Sequence, residues 1–166
     1  RFAFRVRECP GATNEVSDGE FETGTPWDVV GGASIDLSNH RAILPVLQSG
    51  LRQESVLDIG KHYRVEILVG DSDQIPVGGV AFECFEGGGV VSASPGLYTI
   101  YGTAIMESFR FHRTYFVQGT PMTEMWINSV EVYEVQPPMA RTIDKDGNEL
   151  TASVPGEMVR GAVMFE

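Results

Sequence analysis

His62-Tyr63-Arg64-Val65-Glu66-Ile67-Leu68-Val69 is the stretch whose reading decides the fold. Tyr63, Val65, Ile67 and Val69 share one face, and His62, Arg64 and Glu66 the other, with Leu68 breaking the polarity. A period of two is the mark of a half-buried β-strand. Downstream, Gly70-Asp71-Ser72-Asp73 turns the chain, Val80 to Phe85 is a second strand, and Gly87-Gly88-Gly89 turns it again. Gly96 to Tyr101 follows, then Ser108 to Val117, where Phe109, Phe111, Tyr115 and Val117 alternate with Arg110, His112 and Thr114. Trp126 to Val135 closes the regular region before Pro137-Pro138. Upstream, Leu51 to Val56, Arg41 to Leu47 and Ala33 to Leu37 are short apolar runs, the last set off from Val29-Val30 by Gly31-Gly32. Arg1 to Arg7 opens the chain with Phe2, Phe4 and Val6 on one face. Strands at this close spacing, punctuated by 19 glycines and 9 prolines, predict an all-β sandwich or barrel.

The tail differs in kind. Lys145-Asp146-Gly147-Asn148 is a hairpin turn between Thr142-Ile143 and Leu150. Met158, Val163 and Phe165 make a last apolar stretch. The organisation expected is an N-terminal strand or arm over 1–14, a β-sandwich over 15–136, and a C-terminal hairpin and arm over 137–166.

The 166 residues carry a net charge of −11, with 42% hydrophobic and 10% aromatic residues. That hydrophobic fraction can fill a core. A nucleic-acid partner is not expected, because no basic footprint balances the acid. Membrane insertion is not expected either, since no run approaches the roughly 18 apolar residues of a spanning helix. No signal peptide is legible; the chain opens on Arg1 rather than Met, so a removed leader would leave no trace. Cys9 and Cys84 lie far apart with no metal-ligand spacing. They read as two free thiols, with a single disulfide as the alternative.

Residues with chemical potential are scattered. The pairs Glu83/Glu86 and Asp71/Asp73 read as solvated acids, and His40, His62 and His112 have no nucleophile or carboxylate at a known spacing. Asp144-Lys145-Asp146-Gly147-Asn148 has its glycine at the fourth position, where a calcium loop of the EF-hand kind needs it at the sixth. The triglycine has no following Lys-Ser/Thr for a phosphate. No enzyme is expected.

The order of short motifs carries more. Asp18-Gly19-Glu20-Phe21-Glu22-Thr23-Gly24, then Trp27 and Gly31-Gly32-Ala33, resembles the opening of jelly-roll carbohydrate-binding modules of families 4 and 9. Leu51-Arg52-Gln53, Leu57 to Val65, and Trp126-Ile127-Asn128-Ser129-Val130-Glu131-Val132 resemble their later strands in the same order. The resemblance covers about residues 15 to 135 and implies an antiparallel jelly-roll β-sandwich. Similar domains also occur in bacteriophage tail, fibre and capsid-decoration proteins. The resemblance further implies a structural calcium ion as the one cofactor to consider, with Glu22 and Asn128 as ligands. Asn128 stands where the family has Asp, which removes a charge that Ca²⁺ favours.

Two functions follow as expectations. The first is a structural subunit of a virion, a capsid-decoration or tail-associated protein, fastened to copies of itself or to other virion proteins by Met158, Val163 and Phe165. The alternative is a secreted carbohydrate-binding module. Its glycan would meet Trp27, which follows Pro26 in a loop, and a polar sheet face with Gln53, Arg110 and His112. Trp126 shares strand parity with Val130 and Val132, which places it in the core.

Overall fold

The computed structural model describes residues 9, 11–71, 78–114 and 124–136, and the backbone alone of 142–143 and 149–150. The chain divides into two compact units, Glu8–Pro137 and a second made of Arg1–Arg7 with Pro138–Glu166. The described part of the second unit is the ladder of β11 (Thr142–Ile143) with β12 (Glu149–Leu150). The strand expected over residues 1–7 and the arm residues Met158, Val163 and Phe165 lie outside the described residues.

The first unit is an antiparallel jelly-roll β-sandwich. Its strands are β1 (Asp28–Val30), β2 (Ser34–Asp36), β3 (Arg41–Leu44), β4 (Gly50–Gln53), β5 (His62–Val69), β6 (Gly79–Phe82), β7 (Gly89–Ser92), β8 (Gly96–Thr103), β9 (Phe109–Thr114) and β10 (Met125–Val135). One five-stranded sheet runs β1-β4-β9-β6-β7 and the other β2-β3-β10-β5-β8. Most consecutive strands cross between the sheets, as in β3 to β4 and β5 to β6, while β2–β3 and β6–β7 pair within one, and the residues from both inner faces meet.

The alternation in β5 is realised as read. Tyr63, Val65, Ile67 and Val69 are buried, and the residues between them are half-buried. Val130 and Val132 of β10, and Ala42 and Leu44 of β3, join them from the same sheet. Opposite stand Leu51, Val80, Phe82, Phe109 and Phe111. The phenyl rings of Phe82, Phe109 and Phe111 pack with centroids 6.1 to 6.4 Å apart, the tilted geometry aromatic quadrupoles favour. Each such side chain contributes about 1.5–3 kcal/mol on burial. Arg113 continues the inward face of β9 and is fully buried; its Nη1 donates to the carbonyls of Leu44 at 2.9 Å and Pro45 at 3.0 Å.

One boundary and one strand differ from the expectation. The arm assigned to 1–14 is in part sandwich: Cys9 N–H donates to the Glu134 carbonyl, and Asn14 Oδ1 accepts from Val132 N–H at 2.9 Å. And β10 contains a bulge. Ile127 stands opposite Val69 but Ser129 opposite Leu68, so Asn128 is the extra residue.

Candidate functional site

Trp27 is held by the loop before it. Asp18 takes a positive φ of 53° and turns its carboxylate onto the backbone: Oδ1 accepts from Glu22 N–H at 2.7 Å, and Oδ2 from Gly24 N–H at 2.7 Å. Short polar side chains tolerate this backbone region and bond locally in it. The Asp18 carbonyl then accepts from Trp27 Nε1 at 2.9 Å. The indole packs among Phe21, Phe109 and Phe111 at 5.6 to 6.4 Å and is 6% exposed. Trp27, expected as an exposed platform, is therefore a core anchor with its one donor satisfied.

Gln53 is likewise corrected. It points inward opposite Phe109 and is 2% exposed. Its amide pins the preceding loop, with Nε2 donating to the Ser17 carbonyl at 2.6 Å and Oε1 accepting from Ser17 N–H at 3.1 Å. Of the expected ligand face, Arg110 and His112 do project from the outer side of β9. Arg110 meets Glu83 at 3.3 Å, and His112 Nε2 lies 3.7 Å from the other oxygen of Glu83. His112 is nevertheless 3% exposed and so is not open to a ligand. Nearby, Arg52 is held by Asp28 at 3.2 Å and Glu54 at 2.9 Å. This face carries guanidinium and carboxylate groups already paired with each other.

Glu22 is exposed in the Asp18 loop, and Asn128 occupies the β10 bulge, where a methyl on Gly70 would overlap its side chain. Among the described residues no group of three or more His, Cys, Asp or Glu side chains is arranged to hold a metal. The carboxylate that closes this loop is that of Asp18, which spends both oxygens on backbone N–H groups. Cys9 and Cys84 are free thiols, the first half-buried and the second buried. A surface hollow of about 230 Å³ is lined by Cys9, Lys61, His62 and Glu134, smaller than the ~300–1,000 Å³ of small-molecule pockets. There Lys61 Nζ is held by Asp58 at 2.7 Å and Glu134 at 2.9 Å.

The outer face of the β2-β3-β10-β5-β8 sheet is different, because it carries aromatic rings. The Asn128 bulge reverses the parity of β10, so Met125 and Ile127 point inward with Val130 and Val132, while Trp126 points out. The core position expected for Trp126 is thus corrected. Arg41 lies over the indole, 3.7 Å from the ring centroid, and is oriented by Asp36 at 3.1 Å. Trp126 Nε1 has no hydrogen-bond partner among the described residues. Further along, Tyr133, Arg64 and Tyr101 stand side by side on β10, β5 and β8. Arg64 covers the Tyr133 ring at 4.8 Å, and Tyr101 is 56% exposed. Strand spacing puts Tyr133 and Tyr101 about 10 Å apart across the sheet. One row away, Glu131, Glu66 and Thr99 lie side by side, with Glu131 accepting from Tyr133 Oη at 3.0 Å. The face carries one exposed ring, Tyr101, beside two half-buried rings capped by guanidinium groups, with carboxylate acceptors held alongside.

The parity conflict in β10 could have revealed this face. Met125 and Ile127 fall on odd positions and Val130 and Val132 on even ones, and one strand can bury both sets only through an inserted residue.

No protein-family model and no curated protein matches the chain. Among solved structures, the second N-terminal cellulose-binding domain of Cellulomonas fimi β-1,4-glucanase C is similar over 76% of this chain and 97% of that domain, at 16% identity and a TM-score of 0.46.

Proposed function

We propose that this chain is a non-catalytic glycan-binding module that takes a saccharide on the outer face of the β2-β3-β10-β5-β8 sheet. The observation that carries the reading is the row Tyr133–Arg64–Tyr101 with the Arg41–Trp126 stack on the same face. A pyranose ring presents apolar C–H faces and equatorial hydroxyls. Aromatic planes accept the first, and guanidinium donors and carboxylate acceptors take the second. The rings sit on strands, which hold them more rigidly than a loop would. Among the described residues of this face, none pairs a nucleophile with a base. The setting this function implies is extracellular. The alternative, a virion subunit, depends on Met158, Val163 and Phe165, outside the described residues, and no observation favours it.

The test is affinity electrophoresis and calorimetry of the full chain against a panel of soluble polysaccharides. We expect at least one to bind. Trp126→Ala and Tyr133→Ala should each weaken that binding about tenfold or more, the loss typical of a central aromatic contact. Arg52→Ala, on the opposite sheet, should leave it unchanged. Silence across the panel, or binding indifferent to both aromatic variants, would sink the proposal.

A further inference from the structure

Four strands end the two sheets, and they are not alike. β1 and β2 have three residues each and carry Asp28 and Asp36. β7 has four residues. β8 has eight, Gly96-Leu97-Tyr98-Thr99-Ile100-Tyr101-Gly102-Thr103, without a charge or a proline, in a chain of net charge −11. It pairs with β5 along its whole length without a register shift. Alternate N–H and C=O groups of an antiparallel edge strand point away from its neighbour. Along β8, among the described residues, the backbone bond made outside its ladder with β5 is from Glu86 N–H to the Thr103 carbonyl, next to the Phe85–Ala104 bridge, and Tyr98 Oη donates to the Ser94 carbonyl; Leu97, Thr99 and Tyr101 make no such backbone bond. Long edges of this kind are normally blunted by a lysine, a proline, a bulge or sheer shortness. β1, β2 and β7 are short; β8 has none of these devices, and among the described residues only its Thr103 end is bridged, by the segment at Phe85.

We propose that β8 is a self-association edge, through which two copies of this chain pair antiparallel about a two-fold axis at Thr99. Its occupant is argued from self-complementarity. With Thr99 opposite its symmetry mate, Leu97 falls opposite Tyr101 on the outer face, and Tyr98 opposite Ile100 on the inner. Leu97 is 64% exposed, and both outer pairs join an aliphatic to an aromatic side chain, the cross-strand combination antiparallel ladders favour. No like charges oppose each other anywhere along the strand, although two such acidic chains repel elsewhere. The contact is isologous, so it consumes the edge on both copies and closes at a dimer. Two five-stranded sheets become one continuous sheet. The inference does not rest on the glycan reading.

Sedimentation velocity of the full chain over a range of concentrations tests it. The expected result is a dimer. Thr99 is exposed, so Thr99→Lys and Thr99→Glu should each leave the fold intact by circular dichroism. Each should sediment as a monomer, because the two-fold places like charges face to face. An equimolar mixture of the two should recover the dimer. A wild-type chain that stays monomeric overturns the proposal, as does a dimer that survives both substitutions or a mixture that stays monomeric. Should a charge variant not fold, Thr99→Cys in a Cys9→Ser background, oxidised with diamide, gives the answer on a non-reducing gel. Residues directly opposite in an antiparallel pair lie about 4.5–5.5 Å apart at Cα, within disulfide reach. A cross-linked dimer supports the register, and its absence overturns it.

Discussion

His112 projects from the outer side of β9 between Gly50 and Ala81, yet almost none of it meets solvent. Burial pushes its imidazole below the ordinary 6.5; the Glu83 carboxylate opposes that shift, and the Arg110 guanidinium reinforces it. The unfolded chain therefore binds a proton at this residue more readily than the folded one, and stability rises with pH across the window from the folded value up to 6.5. Above that window the full contribution is present; acidification through it removes stability. We expect the urea midpoint to fall between pH 7.5 and pH 5.5, and to fall less in His112→Asn. An equal drop in both would exclude His112 as the source. The two tryptophans give the same lesson about single residues. Trp27 is surrounded by three phenylalanine rings, while Trp126 faces outward beneath Arg41. Their local sequences suggest the reverse, because a proline-flanked loop looks exposed and a strand position next to valines looks buried. What surrounds a ring comes from strands distant in the chain, and no local pattern encodes it.

At the scale of the element, β10 shows how one residue redirects a strand. It holds the centre of its sheet, bonded to β3 on one side and β5 on the other. Without the extra residue Asn128, its first half would slip by one, turning Met125 and Ile127 to solvent and Trp126 inward. Deleting Asn128 should cost about 3–6 kcal/mol, the burial of two large apolar side chains, measured by urea denaturation. A loss under about 1 kcal/mol would show that the bulge does not set the register. The longer strands with one buried face were legible, though the four-residue β7 was not read: β5 matches its pattern residue for residue, and Phe109 and Phe111 of β9 fall inward as the alternation requires. Gln53 was not. Its strand alternates cleanly in burial from Leu51, but an amide on the inner face is stable only because Ser17, 36 residues earlier, supplies both a donor and an acceptor.

Across the whole sandwich, Cys84 reports on cooperativity. It is buried at the end of β6 near Phe85, and burial pushes its thiol up to about 11. A thiolate is the reactive form, so this group is both shielded and protonated at neutral pH. Cys9 is half-buried beside Glu134. One thiol per native chain should react with a disulfide reagent, and the second only when denaturant unfolds the sandwich. Prompt reaction of both would indicate local opening around β6. Taken by itself, the sequence determined the class of fold, most of the strands along the chain and most of the turns, since these depend on period-two burial and on Gly and Pro between short runs. It also carried the acidic balance, a net charge of −11. Only the tertiary structure decided which aromatic ring faces out, which polar side chains are already satisfied, and that β8 ends a sheet. The physical reason is that alternation fixes relative parity within a strand, whereas exposure, pairing and edge position are set by neighbours that the chain brings together from far apart.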